Sequence, residues 1–460
     1  MDLLKDLSEG FHQGNSEMMD SLLKALEGGT GVDAASFTGG RALQPESLDT
    51  TLVNVLWSQD EAKLFKALKK QPVKSVAHQW VRRTEVGDED GAWVPEGGDS
   101  VEKDQTIERS FVLMKYLQTL RKVTLQASIA NMIEDAVALE KQAGTLWIIK
   151  QVEKILFNGD SDVIVEQPDG LDKLITAAPT SQGTVNVIDL RGKTANTTEF
   201  EEAMTEAARI IRANFGIITD LYCSLMVMKD VQALLRNRIR FEAKREVLGG
   251  AIFTEYPTPF GTPKLVDDIF IQEKAVPRAS VIVASRPSAP TISLAVSGTS
   301  SEFGSGDEGT YSYIVCAVNK FGESIPSANS EIAVGVGEQV DITITDGSTA
   351  GTGWVIYRAK KGETTGHKKC FQTKRTGSPQ VVSDTNAYLP GTSTVYALNL
   401  NPMYDAIEWE QFLPMMKFDL YPTNAAVYPF LMLLFGALGL KKREQQVRII
   451  NISPSNLDWF

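Results

Sequence analysis

The chain has 460 residues, with 46 Lys or Arg against 58 Asp or Glu and a formal net charge of −12. That length exceeds one ordinary core and suggests about three domains, and a composition of 43% hydrophobic and 23% charged residues is that of a globular protein. The acidic balance argues against a protein that grips nucleic acid by neutralising phosphates.

Cys223, Cys316 and Cys370 are odd in number and form no C-x-x-C pair, and His12, His78 and His367 lie far apart. A reducing compartment is therefore expected, with no metal site and no cofactor.

Residues 1–30 mix charged and apolar side chains, so no secretory signal is expected. Met1–Leu26 suits a short amphipathic helix, and Gly28–Gly40 a flexible arm. Residues 73–84 and 106–125 read as two extended segments. The tract between them, Glu85–Asp104, is acidic and rich in Gly and Pro. Together they predict a long hairpin whose imperfect alternation leaves apolar side chains in need of a partner surface.

Ile129–Phe157 reads as a long amphipathic helix, its stripe running through Ile133, Val137, Ala143, Leu146, Trp147, Ile149 and Val152. Asn158-Gly159 ends it. A second helix is predicted over Thr198–Phe215, with Thr198 and Glu201 as a capping box. Leu221–Met228 suits a buried strand, and Asp230–Phe241 a third helix with Arg236, Arg238 and Arg240 on one face.

At Arg286-Pro287-Ser288-Ala289-Pro290 the composition shifts to Ser, Thr, Gly and Val. Thr310–Asn319, Asp341–Thr345 and Trp354–Arg358 read as short strands at the spacing of a β-sandwich. Gly322-Glu323-Ser324 after the Tyr-rich strand resembles fibronectin-type and other Ig-like modules, although it falls early in the strand order. Apolar, helix-like sequence returns after Leu398, which makes the sandwich an insertion. Ala425–Leu440 then runs sixteen residues without a charge. It is shorter than the ~18–20 residues of a membrane span and contains Pro429, Gly436 and Gly439. A buried core segment including Leu431, Leu433 and Leu434 is expected, followed by a strand over Gln446–Ile452.

No catalytic constellation emerges. Gly304–Gly309 fits G-x-G-x-x-G, but a Tyr-rich strand follows where a dinucleotide site needs a helix. Ser21–Lys24 fits S-x-x-K without companion motifs. Glu85, Asp88, Glu89 and Asp90 lack calcium-loop spacing and suit a solvated tip that pairs with basic residues of a neighbour. Arg82 and Arg83 just before the tip are candidates for such pairing, as are Arg236, Arg238 and Arg240.

Phe157-Asn158-Gly159-Asp160, Asp169-Gly170-Leu171-Asp172-Lys173-Leu174-Ile175, and Leu413-Pro414-Met415-Met416-Lys417 ahead of the apolar run resemble major capsid proteins of large contractile-tailed bacteriophages (SPO-like or Twort-like). The resemblance covers most of residues 40–285 and 397–453.

It implies an α+β, Hong Kong 97-type capsid fold. Residues 1–72 would be the N-terminal arm, 73–127 the extended loop and 128–159 the spine helix of the peripheral domain. Residues 160–285 and 398–440 would form the axial domain, 286–397 the inserted Ig-like sandwich, and 441–460 a strand and tail returning to the peripheral sheet. The implied function is structural and not enzymatic: self-assembly as hexamers and pentamers into an icosahedral shell around double-stranded DNA. Portal and scaffolding proteins would be partners, and a decoration protein is a further candidate. Assembly would take place in the host bacterial cytoplasm, the final location would be the virion, and no membrane would be involved.

No cross-linking pair is recognised. Glu9-Gly10 and Glu27-Gly28 are candidate maturation cleavage points, because some large phages cut capsid subunits after such a Glu. An encapsulin-type compartment shares the fold and is the alternative; a surface adhesin with an Ig-like module is a weaker one.

Overall fold

The computed structural model describes residues 59–87, 90, 92–100, 102–129, 135–180, 183–238, 254–271, 275–298, 301–422 and 425–455. The chain divides into two compact units, Met1–Leu56 with Ile129–Ala136, and Trp57–Ser128 with Val137–Phe460. Nearly all described residues belong to the second.

A short helix, α1 (Lys63–Ala67), leads into strand β1 (Lys69–Pro72). β2 (Ala77–Glu85) and β3 (Thr106–Leu113) then pair antiparallel as a two-stranded hairpin, with Ala77 opposite Leu113 and Arg82 opposite Glu108. The second extended segment does not stay in the hairpin. It breaks at buried Met114, whose N–H donates to the Val76 carbonyl at 2.8 Å. β4 (Lys115–Thr124) joins a different sheet, and α2 (Leu125–Ile129) follows it.

α3 (Ala136–Asn158) has 23 residues, about 34 Å at 1.5 Å per residue. It starts later than the sequence suggests; residues 130–134 of the expected span lie outside the described residues. Its buried face carries Gly144, Leu146, Ile148, Val152, Leu156 and Phe157. Leu146 and Val152 of the predicted stripe are buried, but the face is rotated so that Trp147 points outward, 37% exposed. The cause is close approach to a strand. A Cβ on Gly144 would lie 2.5 Å from the Met432 sulfur, so the helix seats on its Gly144 side.

α4 (Leu171–Leu174), β5 (Val187–Asp189), α5 (Thr198–Ala213), β6 (Asp220–Cys223), α6 (Leu225–Arg238) and β7 (Lys264–Asp267) come next. The expected capping box is absent. Thr197 is the N-cap of α5, and its hydroxyl donates instead to the Thr194 carbonyl at 2.9 Å. Leu225–Met228, expected as strand, opens α6. β6 stops at Cys223, and buried Ser224 marks the switch.

Residues 291–384 fold as two facing sheets. Their strands are β8 (Thr291–Ser297), β9 (Gly309–Asn319), β10 (Gly322–Glu323), β11 (Ser330–Val334), β12 (Gln339–Thr345), β13 (Gly353–Arg358), β14 (Lys368–Lys374) and β15 (Gln380–Asp384). One sheet has the order β10-β9-β13-β14, with β11 also on β9; the other has β15-β12-β8. Tyr313, Val315, Val340, Ile342, Ile344, Trp354 and Ile356 fill the space between them. β9 and β13 are buried on their outer face as well. There Ile314, Cys316, Val318, Val355 and Tyr357 pack on Val163, and a Cβ on Gly353 would sit 2.6 Å from Val163 Cγ1. The module is thus seated on the body by a second apolar patch.

β16 (Ser393–Leu398), β17 (Ile407–Asp419), β18 (Val427–Leu440) and β19 (Val447–Ile452) complete the chain. Two sheets form the body, β1-β17-β18-β4 and β5-β19-β16-β6-β7. The first covers α3 with Trp409, Phe430, Met432, Leu434 and Leu438. The second packs Val395, Ala397, Val447 and Ile449 against α5 and α6. Phe157 at the end of α3 joins the two through ring contacts with Tyr222 and Tyr396.

Three expectations are corrected here. Residues 398–440 supply the sheet over the long helix, whereas Val447–Ile452 joins the compact sheet of residues 187–267: the two roles are exchanged. The reason is burial. Every residue of β19 is buried between two neighbouring strands, which requires a sheet covered on both faces; β18 alternates and covers one helix. The inserted module ends before the expected residue 397, because β16 lies between β19 and β6 in the body. The apolar run is a strand and not a helix, so only alternate residues point into the core: Leu434 is 2% exposed, while Leu431 and Leu433 are half-buried on the other face.

Candidate assembly surface

The hairpin is the least self-sufficient part of the described chain. Val81, Ile107, Phe111 and Leu113 are all about half exposed or more. A two-stranded ribbon alone is marginally stable in water. Its connecting tract carries Trp93, 97% exposed, and the exposed carboxylates Glu96, Asp99, Glu102 and Asp104.

The base of the hairpin is firmly held. Val73 and Met114 pack on Ala437 of β18. Glu408 and Glu410 on β17 are buried, and Lys69, which reaches Glu408 at 2.8 Å, ties β1 to that strand. Lys441 pairs with Glu408 and lies 3.2 Å from Glu410, while His78 Nε2 on β2 lies 3.7 Å from Glu410. Desolvation pulls the Lys441 ammonium's proton affinity down, but its hydrogen bond to Glu408 and the charges of both acids raise it on balance. These charges fix where the hairpin leaves the body.

A second buried acidic group secures the entry of the chain. Glu153 on α3 accepts from the N–H groups of Leu64 at 2.7 Å and Phe65 at 2.9 Å, satisfying the start of α1. Burial, then the neighbouring Asp268 carboxylate, pushes the Glu153 carboxyl up to about 9. Burial raises Asp268 as well, so near neutral pH Glu153 is protonated beside it.

The outer end of the helix-covering sheet is also open. β1 pairs β17 only as far as Gln411, so the backbone of Leu413–Phe418 has no strand on that side among the described residues. Phe418, Tyr428 and Tyr116 are half exposed, and Tyr421 is 94% exposed.

The predicted contact residues divide. Arg82 is engaged within the chain, with Glu108 at 2.9 Å and Glu444 at 3.3 Å. Arg83 is exposed on the same strand. Asp90 is exposed, and its carbonyl accepts from Lys103; Asp88 and Glu89 lie outside the described residues. Arg236 is exposed near the end of α6, Arg238 is its last residue, and Arg240 lies outside the described residues, as do Glu9, Gly10, Glu27 and Gly28.

Sequence reasoning missed Glu153, Asp268, Glu408 and Glu410. Glu153 had a signal, a lone carboxylate between Val152 and Leu156 in the helix. Trp93 had one too, as the sole aromatic residue in an acidic Gly-rich tract.

The model of the SU10 major capsid protein family matches residues 29–288, more than half of the chain. The chain belongs to the SU10 major capsid protein family. The match ends three residues before β8, where the two-sheet module begins. The chain is 23% identical over 482 residues to the major capsid protein of Staphylococcus phage S25-3, covering 98% of this chain and 99% of that one. It is 25% identical to a putative major capsid protein of Enterococcus phage phiEF24C, covering 95% and 96%. Among solved structures, the capsid of cyanophage P-SCSP1u aligns with a TM-score of 0.48 at 8% identity, over 90% of this chain and 94% of that one.

As a member of this capsid family the chain is a major capsid protein of tailed phages, a structural component of the virion that assembles with copies of itself. Its α+β elements follow the Hong Kong 97-type plan implied by the sequence resemblance: a projecting hairpin, a long helix under its own sheet, and a compact second sheet with helices. Among the described residues no helix is long and apolar enough to cross a membrane.

Proposed function

We propose that the chain tiles as hexamers and pentamers into an icosahedral shell that encloses double-stranded DNA. The projecting hairpin carries this reading: its exposed Val81, Ile107, Phe111 and Trp93 need a surface that its own body does not supply. In the shell, each hairpin lies over a neighbour, and its acidic tip, including Asp88, Glu89 and Asp90, pairs with basic side chains there. Arg83, Arg236, Arg238 and Arg240 serve subunit contacts. Each contact is weak, and repetition supplies the strength.

The net charge of −12 lets the wall hold DNA without adhering to it. The shell is built with a portal and a scaffolding protein, and it forms in the host bacterial cytoplasm. Residues 291–384 form an Ig-like module on the outer surface, available to a decoration protein. Glu9-Gly10 and Glu27-Gly28 are the points at which a maturation protease would cut. The role needs no catalytic group, and none is assigned.

Negative-stain microscopy of the purified protein expressed alone tests the reading. Closed shells or capsomer-sized rings support it, and a population of stable monomers at high concentration overturns it.

A further inference from the structure

The inserted module and the body enclose an open cleft of 1380 Å³, larger than the roughly 300–1,000 Å³ typical of a small-molecule pocket. α3 contributes Trp147 and Lys154 to one wall. The β9–β10 turn contributes Lys320 and Phe321, and the segment leading to the module contributes Arg278 and Ile282. Trp147, Phe321 and Ile282 are 37%, 41% and 49% exposed, a concentration of uncovered apolar surface.

The ionisable groups lining the cleft comprise seven basic and five acidic side chains, although the chain as a whole is acidic. The five carboxylates are each engaged within the chain. Lys154 and Arg278 form no side-chain ion pair among the described residues.

The hairpin tip offers the complementary chemistry. Residues 86–105 carry seven carboxylates and one lysine. They expose Trp93 at 97% and Val86 at 77%. The cleft is apolar and basic; the tip is apolar and acidic.

We propose that this cleft receives the acidic, Trp93-bearing hairpin tip of a second copy of the chain, so that the inserted module forms one wall of the inter-subunit socket. The inference rests on the shell-building role proposed above and names the receptor for the hairpin. It also gives the insertion an assembly role besides display. Long-range attraction orients the tip, and burial of Trp93 against Trp147 and Phe321 supplies the anchor.

A photo-crosslinking residue, p-benzoylphenylalanine, placed at Phe321 tests this in particles assembled from mixed light- and nitrogen-15-labelled chains. Mass spectrometry should recover residues 86–105 joined to the Phe321 peptide, with light–heavy hybrids showing that the two come from different chains. Capture of residues 1–58 instead, of the chain's own tip without hybrids, or of no peptide would overturn the proposal. Particle formation is scored separately by microscopy. Absence of particles from the unmodified protein would count against the shell reading itself; particles without the crosslink count only against the socket.

As a second measurement, Lys154→Glu with Arg278→Glu should lower particle yield about tenfold, the equivalent of ~1.4 kcal/mol. Adding Asp99→Lys and Glu102→Lys should restore it. An unchanged yield in the double cleft variant, or no rescue by the tip variant, would also overturn the socket.

Discussion

Arg358 and Asp384 form an ion pair at 2.6 Å inside the two-sheet module, with both side chains 2% exposed. The guanidinium also donates to the Asn386 side-chain oxygen at 2.7 Å and lies over the rings of Phe303 and Tyr311. Tyr313 donates to the same Asp384 carboxylate at 2.9 Å. A buried charge with this many partners is costly to orphan.

Asp384→Ala should therefore open the module by about 3–5 kcal/mol, because it leaves the guanidinium buried without its counter-charge. Hydrogen exchange of the β9 and β13 amides in the full chain reads this directly. The double substitution Arg358→Met with Asp384→Leu should cost distinctly less, since no charge is left behind. Equal loss of protection in both variants would show that packing, not charge, governs the site.

Glu153 gives the subunit a pH dependence with a defined sign. Its carboxyl is raised from 4.5 when free to about 9 in the fold. The stability linked to its protonated form is complete below about 4.5 and is lost as pH rises towards about 9. Asp268→Asn replaces a competing carboxylate with a neutral donor and should flatten the alkaline side of the profile. Thermal midpoints of unassembled subunits between pH 6 and 9 check this. A variant as alkali-sensitive as the parent would remove Asp268 from the explanation.

The strand assignment of the apolar run distinguishes neighbouring leucines. Leu434→Ala should cost about 2–5 kcal/mol through lost transfer energy and a cavity, because Leu434 belongs to the core over α3. Leu433→Ala should cost much less, because that side chain is half-buried on the opposite face. Denaturant midpoints of the two variants should differ in that order.

Removal of the insertion depends on where the cut falls. Deleting 287–398 takes β16 out of the middle of the compact sheet and should yield insoluble protein. Deleting 291–386 spares β16 and should leave a soluble subunit, particularly with Val163→Ser to relieve the apolar patch that the module covers. Solubility and circular dichroism of the two deletions decide the point.

The local signals in the chain were enough for the existence of the hairpin, the long helix ending before Gly159, the compact α/β part and a strand-rich stretch starting near Pro290. Each is a matter of composition, punctuation and periodicity over a short stretch. Strand type in the apolar run was not legible, since sixteen uncharged residues satisfy a buried helix and a one-sided strand equally well. Which sheet each C-terminal strand joins was not legible either: β18 pairs with β4 some three hundred residues earlier, and β19 with β5. The rotation of α3 was set by Gly144 meeting Met432, and the raised Glu153 carboxyl by burial in the packed core and then by Asp268 on a distant loop. The sequence by itself determined where the hairpin strands, the long helix and the acidic tract lie, because those properties reside in neighbouring residues. Only the tertiary structure decided register, partner strands, buried charge and the cleft beside the module, because each depends on residues that meet solely when the whole chain has packed.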